Sequence, residues 1–306
     1  MKLRSLLLLL PIIILAASCD KEVGPPEPQT EAKLIFKFKF DTTQERLNNV
    51  GQPSTIPAGF AAQNPVMNTM SAHYIELAPN ATTALGAGAI LYRAEETSLG
   101  GAAAIDFEKA KFAANDSTFI AIPIKAIPAG EYEWIRTSLA YQNATIKFLI
   151  DTVINTIPVK QEFDGTIAGF IGFNTYIKSV KIKDSLLAVN ANKKQGFWAF
   201  ETTPTFGPFT FTYATSGQAP EGATTVVNPI FNTSPVPAGS CVVTGAFTPG
   251  KLVITGKETQ DIIVELSFSI NKSFEWQEVV VDGKWEPSKG EQIADMGIRG
   301  MIPKIK

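Results

Sequence analysis

Lys33-Leu34-Ile35-Phe36-Lys37-Phe38-Lys39-Phe40 puts Leu34, Phe36, Phe38 and Phe40 on one side of an extended chain and Lys33, Lys37 and Lys39 on the other. Alternation with a period of two, carried by aromatic and branched residues, predicts a half-buried β-strand. The pattern returns in Ile262–Ile270, where Ile262, Val264, Leu266, Phe268 and Ile270 alternate with Ile263, Glu265, Ser267 and Ser269. Phe209, Phe211 and Tyr213 alternate with Thr210 and Thr212 and predict a third half-buried strand. Shorter strands are expected at His73–Leu77, Ala89–Glu95, Thr118–Lys125, Glu131–Tyr141, Ile167–Phe173, Ser179–Ile182, Leu187–Asn190 and Leu252–Thr255. Turn signals are dense between them: Pro128-Ala129-Gly130, Pro237-Ala238-Gly239, Pro249-Gly250 and Asp282-Gly283. Ile56-Pro57-Ala58-Gly59, Ile127-Pro128-Ala129-Gly130 and Val236-Pro237-Ala238-Gly239 repeat one phrase at unequal spacing, which suits a turn more than a repeat unit. Only Ala102–Ala114 has the charge order of a short helix. The expectation is an all-β fold, an antiparallel β-sandwich built as one large or two associated units, with very little helix. A subdivision is possible in the Gly/Pro/Ala/Thr-rich stretch 216–225.

Composition narrows the function. Apolar residues make up 45% of the 306, enough for a sizeable core, while a formal charge of −2 argues against a nucleic-acid partner. His73 is the only histidine, which removes two-histidine metal motifs and any site built from several imidazoles. Gly-x-Ser-x-Gly, Gly-x-Gly-x-x-Gly and phosphate-loop lysine patterns are absent. Of the two cysteines, Cys241 sits in an apolar strand-like setting with no basic neighbour in sequence to activate it.

The amino terminus carries an address. Met1-Lys2-Leu3-Arg4 is basic, Leu6–Leu15 is apolar apart from Pro11, and Ala16-Ala17-Ser18 precede Cys19. A basic start, a short apolar core and small residues form a secretory signal, too short to be a spanning helix. The stretch resembles a bacterial lipoprotein signal, with Ala16 where that signal usually carries Leu. The resemblance implies cleavage before Cys19, acylation of its thiol, and a membrane partner held through lipid alone. Asp20-Lys21-Glu22 is similar to the signal by which some Gram-negative bacteria move lipoproteins to the outer face of the outer membrane; an inward-facing anchor is the alternative. Residues 1–18 are read as signal, 19–31 as lipidated cysteine and Pro-rich tether, and 32–306 as the β-sandwich region.

Residues 32–150 resemble MbnP-like domains, periplasmic copper-binding partners of methanobactin, in the Phe36-Lys37-Phe38 strand, the Ala72-His73-Tyr74-Ile75 strand and the turn from Ile127 to Tyr132. The resemblance implies a sandwich and a copper site, for which His73 with Met67 and Met70 supply imidazole and thioether donors. Packing in a core is the competing role for all three. Asp282-Gly283-Lys284-Trp285-Glu286-Pro287, with Glu291 and Asp295, looks like part of a calcium loop, acidic oxygens spaced around a glycine. The competing reading is a tight hairpin turn. No cofactor is expected beyond copper or calcium at these places.

Gly196-Phe197-Trp198-Ala199-Phe200-Glu201, continuing to Tyr213, is the most aromatic stretch. Exposed, Phe197, Trp198 and Phe200 would form a sugar platform; turned inward, they would line the core. Asp41-Thr42-Thr43, Asp116-Ser117-Thr118, Asp151-Thr152-Val153 and Asp184-Ser185-Leu186 are similar to an O-glycosylation sequon of Gram-negative bacteria, which implies acceptors at Thr42, Ser117, Thr152 and Ser185. Together these readings describe a lipid-anchored cell-envelope protein of the outer membrane, non-catalytic, presenting a binding or structural surface to an unidentified protein or glycan. A metal-binding periplasmic lipoprotein is the second reading, and a carbohydrate-binding or hydrolytic accessory protein the third.

Overall fold

The two strands with the clearest alternation pair with each other. Lys33–Asp41 runs parallel to Ile262–Ser269, in register from Leu34 against Ile262 to Asp41 against Ser269. The computed structural model describes residues 31–48, 51–154, 156–220 and 240–306. Thr118–Pro123 flanks the first strand and Met301–Ile305 the second, both antiparallel, which completes a four-stranded sheet. Leu34, Phe36, Phe38, Val264, Leu266 and Phe268 are fully buried from its inner face, as the alternation requires.

That face packs on a seven-stranded sheet ordered Tyr213–Gln218, Phe197–Thr202, Ile157–Phe170, Trp134–Ile154, Val66–Ala78 and Ala89–Arg93, with Cys241–Ala246 also paired to Trp134–Ile154. Its spine is the long hairpin of Trp134–Ile154 and Ile157–Phe170. Two adjacent bulges bend this sheet. Ser71 pairs with Tyr141 and Ala72 with Leu139, so Ala140 is an extra residue; Tyr74 pairs with Ser138, so His73 is another. A one-residue insertion exchanges the faces of everything beyond it. Thus Ile135 and Leu139 share the main core with Ala144, Ile146 and Phe148, across a change from odd to even positions. The carbonyl of Ala140 accepts from the amides of both Ile171 and Gly172.

The other face of the large sheet is covered by the hairpin Asn174–Lys181 and Leu186–Lys194, which buries Tyr141, Phe170, Ile177, Val180, Phe197 and Ala199 in a second core. The molecule is all-β and sandwich-like, and the residues from Ala32 onward form one compact unit. Not every pairing is antiparallel: besides the pair above, Ala104–Asp106 runs parallel to Asn174–Lys181.

The helix expected at Ala102–Ala114 does not form. Ala104–Asp106 is a strand, and Phe107–Lys109 is a single 3-10 turn capped by the Asp106 side chain and ended by extended Ala110. Pairing of Ile105 with Glu96 and Thr175, and of Ala113 with Met70, offers this segment more than its weak helical charge pattern does. Tyr213–Gln218 is a strand of the large sheet, so chain pairing continues through the start of the stretch read as a possible boundary; 221–239 lies outside the described residues.

Candidate functional site

Strand Phe197–Thr202 divides its side chains between two environments. Phe197 and Ala199 enter the second core. Trp198 and Phe200 turn to the opposite face, Phe200 buried and Trp198 half-buried. Two glycines let these rings lie flat on neighbouring strands. Trp198 pairs with Gly217, and a Cβ there would stand 2.4 Å from the indole; a Cβ at Gly165 would stand 2.2 Å from the Phe200 ring.

Facing them is the segment after strand Phe274–Gln277, which pairs with Phe60–Gln63 and Ile293–Asp295. Trp285 is buried, its ring centroid 5.7 Å from that of Phe200 and 5.2 Å from that of Phe274, and its indole N–H donates to the carbonyl of Glu291 at 3.3 Å. A third side is made by Pro204, Phe211 and Tyr213. Between them lies a groove of about 800 Å³, within the range of small-molecule sites.

Charge is nearly absent from this groove. Among the described residues that line it, Glu291 is the one carboxylate, and none is a lysine or arginine. Its carboxylate is already engaged: Oε1 accepts from the amides of Val279 (3.0 Å) and Val280 (3.1 Å), and Oε2 from that of Glu286 (2.6 Å). What remains for a ligand is aromatic faces and neutral hydroxyl and amide groups such as Thr202, Thr215, Gln218, Ser288 and Gln292.

The structure separates the residues read as a copper set. Met67 and Met70 pack in the main core, whereas His73 is fully buried at its bulge beside Phe173, with ring centroids 5.4 Å apart. His73 Nε2 donates to Glu96 Oε1 at 3.0 Å, and Arg93 donates to the same oxygen at 2.7 Å. The hydrogen bond from His73 is the main reason the Glu96 carboxyl falls to about 2.

The residues read as a calcium loop are also dispersed. Asp295 pairs with Arg299 at 2.9 Å, in a buried network that continues through Glu275 to Arg46. Asp282 accepts from the Lys284 amide, and Glu291 is spent on the three amides above. Glu286 is fully buried and neither carboxylate oxygen has a hydrogen-bond partner; burial first, then Asp282, Glu291 and Asp151, raises its pKa. Among the described residues no group of three or more His, Cys, Asp or Glu side chains is arranged to hold a metal ion.

Cys241 is buried in its strand, and burial pushes its thiol up to about 12. Of the sequon hydroxyls, Thr42 and Thr152 are exposed, whereas Ser117 and Ser185 are half-buried. Cys19 lies outside the described residues.

Sequence reasoning passed over two acids that shape the fold. Glu76, fully buried, accepts from the amides of Gly86 and Gly88 and from the Tyr74 hydroxyl. Glu201, nearly as buried, accepts from the amides of Lys183, Asp184 and Ser185. The readable signal was a carboxylate inside an apolar strand, which must find donors to be tolerated. Among the described residues no helix is long and apolar enough to cross a membrane. No protein-family model, curated protein or solved structure matches this chain.

Proposed function

We propose that this chain is a lipid-anchored, non-catalytic protein of the Gram-negative cell envelope, attached to the outer membrane, that binds its ligand in the aromatic groove. The anchor rests on sequence: a basic and apolar leader, small residues, Cys19, and a Pro-rich tether leading to the folded unit at Ala32. The binding role rests on one observation. Trp198 lies half-buried on the floor of a groove whose described lining residues carry no unpaired charge, with its indole flat over Gly217. A large aromatic face left partly open is costly as packing and useful as a contact surface.

Chemical denaturation of Trp198→Ala tests this reading. A half-buried ring at a groove floor should cost about 1 kcal/mol on removal, against about 3–5 kcal/mol for a tryptophan sealed in a core. A loss in the larger range would make Trp198 a packing residue and remove the site.

A further inference from the structure

Resting on that groove, the structure assigns a ligand class: we infer that it takes a neutral oligosaccharide. The stretch from Thr202 to Pro220 contains no charged residue, although charged residues are 18% of the chain. It forms the hairpin Thr205–Phe206 and Phe209–Thr210 and then the edge strand Tyr213–Gln218. Within it Phe209, Phe211 and Tyr213 are 72%, 51% and 55% exposed, so the expected core-facing role of this alternation is not what the fold makes of it. The Phe206 and Phe211 rings stack, with centroids 5.7 Å apart and planes within 18°. Phe206 is also held by Phe163, with centroids 5.0 Å apart. The rings are therefore positioned before any ligand arrives.

Threonines alternate with the rings along the chain and so take the other face of the hairpin, where they tie its strands together. Thr205 and Thr210 hydroxyls meet at 2.9 Å, and those of Thr203 and Thr212 at 3.1 Å. Beside Trp198, Phe211 and Tyr213 the groove itself offers the neutral groups of Thr202, Thr215, Gln218, Ser288 and Gln292, so that flat apolar faces stand next to hydroxyls and amides, the complement of a sugar ring with its C–H face and equatorial hydroxyls. Charge decides against other ligands. Among the described residues no lysine or arginine lines the groove to meet a phosphate or uronate, and the Glu291 carboxylate is already satisfied. An acyl chain would be served by an enclosed apolar cavity, whereas here Phe211 and Tyr213 stand half open to water beside hydroxyl groups.

Affinity electrophoresis of residues 19–306 with Cys19→Ser through gels containing a neutral glucan, xylan, mannan or soluble chitin derivative tests the assignment. Alginate and polygalacturonate serve as anionic controls. At least one neutral polysaccharide should retard the protein, and Trp198→Ala and Tyr213→Ala should each weaken that retardation more than tenfold. Leu186→Ala, exposed on the second-core hairpin away from the groove, should leave it unchanged. Tyr213 is on the surface, so its variant reports on binding even if Trp198→Ala is unstable. Retardation by the anionic polymers alone, or by neutral ones in both groove variants, overturns the inference. So does the absence of any retardation. If palmitate or phosphatidylcholine vesicles then bind in a Trp198-dependent way, the groove survives as a binding site and only the sugar assignment falls. If none of these probes responds to Trp198→Ala, the groove reading falls with it.

Discussion

His73 and Glu96 show how a single buried side chain sets a pH dependence. The Glu96 side chain is 27% exposed and its carboxyl is held at about 2, below its ordinary 4.5, by the hydrogen bond from His73 and then by Arg93. A carboxyl whose folded pKa is depressed stabilises the fold above its unfolded value and loses that contribution as the pH falls from about 4.5 towards 2. The full effect is bounded by about 3 kcal/mol and is reduced by screening at this partly exposed position. Glu96→Gln should therefore lower stability at pH 7 by about 1–2 kcal/mol and flatten the acid limb of the stability curve between pH 4.5 and 2. Equal slopes for the two proteins in urea titrations across that range would refute the assignment. Glu286 is the opposite case. Burial without partners raises its pKa, so its ionised form opposes folding once the pH exceeds its unfolded value. In a chelator-containing buffer at pH 7, Glu286→Gln should raise the unfolding midpoint, by about 1 kcal/mol, and the gain should shrink towards pH 4. A wild-type protein that calcium stabilises and a variant that calcium does not would instead restore the calcium reading of this loop.

At the scale of elements, strands with strict alternation were legible because one face is buried along their whole length, as in Lys33–Asp41 and Ile262–Ser269. Their partnership was not legible, because a parallel register depends on everything folded between them. The long hairpin and its neighbour Val66–Ala78 are legible only in pieces, since the bulges at Ala140 and His73 break the period that marks a strand. The groove was half visible. Its floor lay in the most aromatic stretch, but the split of Phe197 from Trp198 and Phe200 follows from which faces the large sheet offers. Its far wall, Trp285 to Ile293, overlaps the calcium reading of Asp282–Pro287 with Glu291 and Asp295, because acidic spacing shows which oxygens are present and not which amides will claim them. The role of Gly217 follows from the same cross-strand contact. Gly217→Val would place side-chain atoms where the Trp198 indole lies, on an edge strand free to adjust. Stability should fall by only about 1–2 kcal/mol, while retention by the neutral polysaccharide is lost. Unchanged retention would mean that the flat setting of Trp198 is irrelevant to the groove.

On the scale of the whole molecule, the strongest message of the sequence concerns an address, carried by residues outside those the structure describes. The sequons belong to the same message, and the fold ranks them. Thr42 follows Asp41, whose carboxylate is already turned inward to the Thr43 and Gln44 amides, which leaves the Thr42 hydroxyl exposed; Thr152 is exposed on the long hairpin. Ser185 is half-buried, and its amide donates to the buried Glu201 carboxylate at 2.9 Å. In the native host, intact-mass measurement should therefore show glycan lost on Thr42→Ala and Thr152→Ala, with little change on Ser185→Ala. Variants whose masses differ only by the substituted atoms would end the glycoprotein reading. The anchor itself is tested by removing one sulfur. Two or three acyl chains hold a protein on a bilayer, whereas a folded unit with a net charge near zero has little electrostatic attraction to lipid headgroups. Cys19→Ala should then move the protein from the membrane pellet to the soluble fraction of the envelope. Washing in high salt separates the two possible outcomes: a variant that still sediments with membranes after the wash is held by something other than lipid, and the lipoprotein reading is lost.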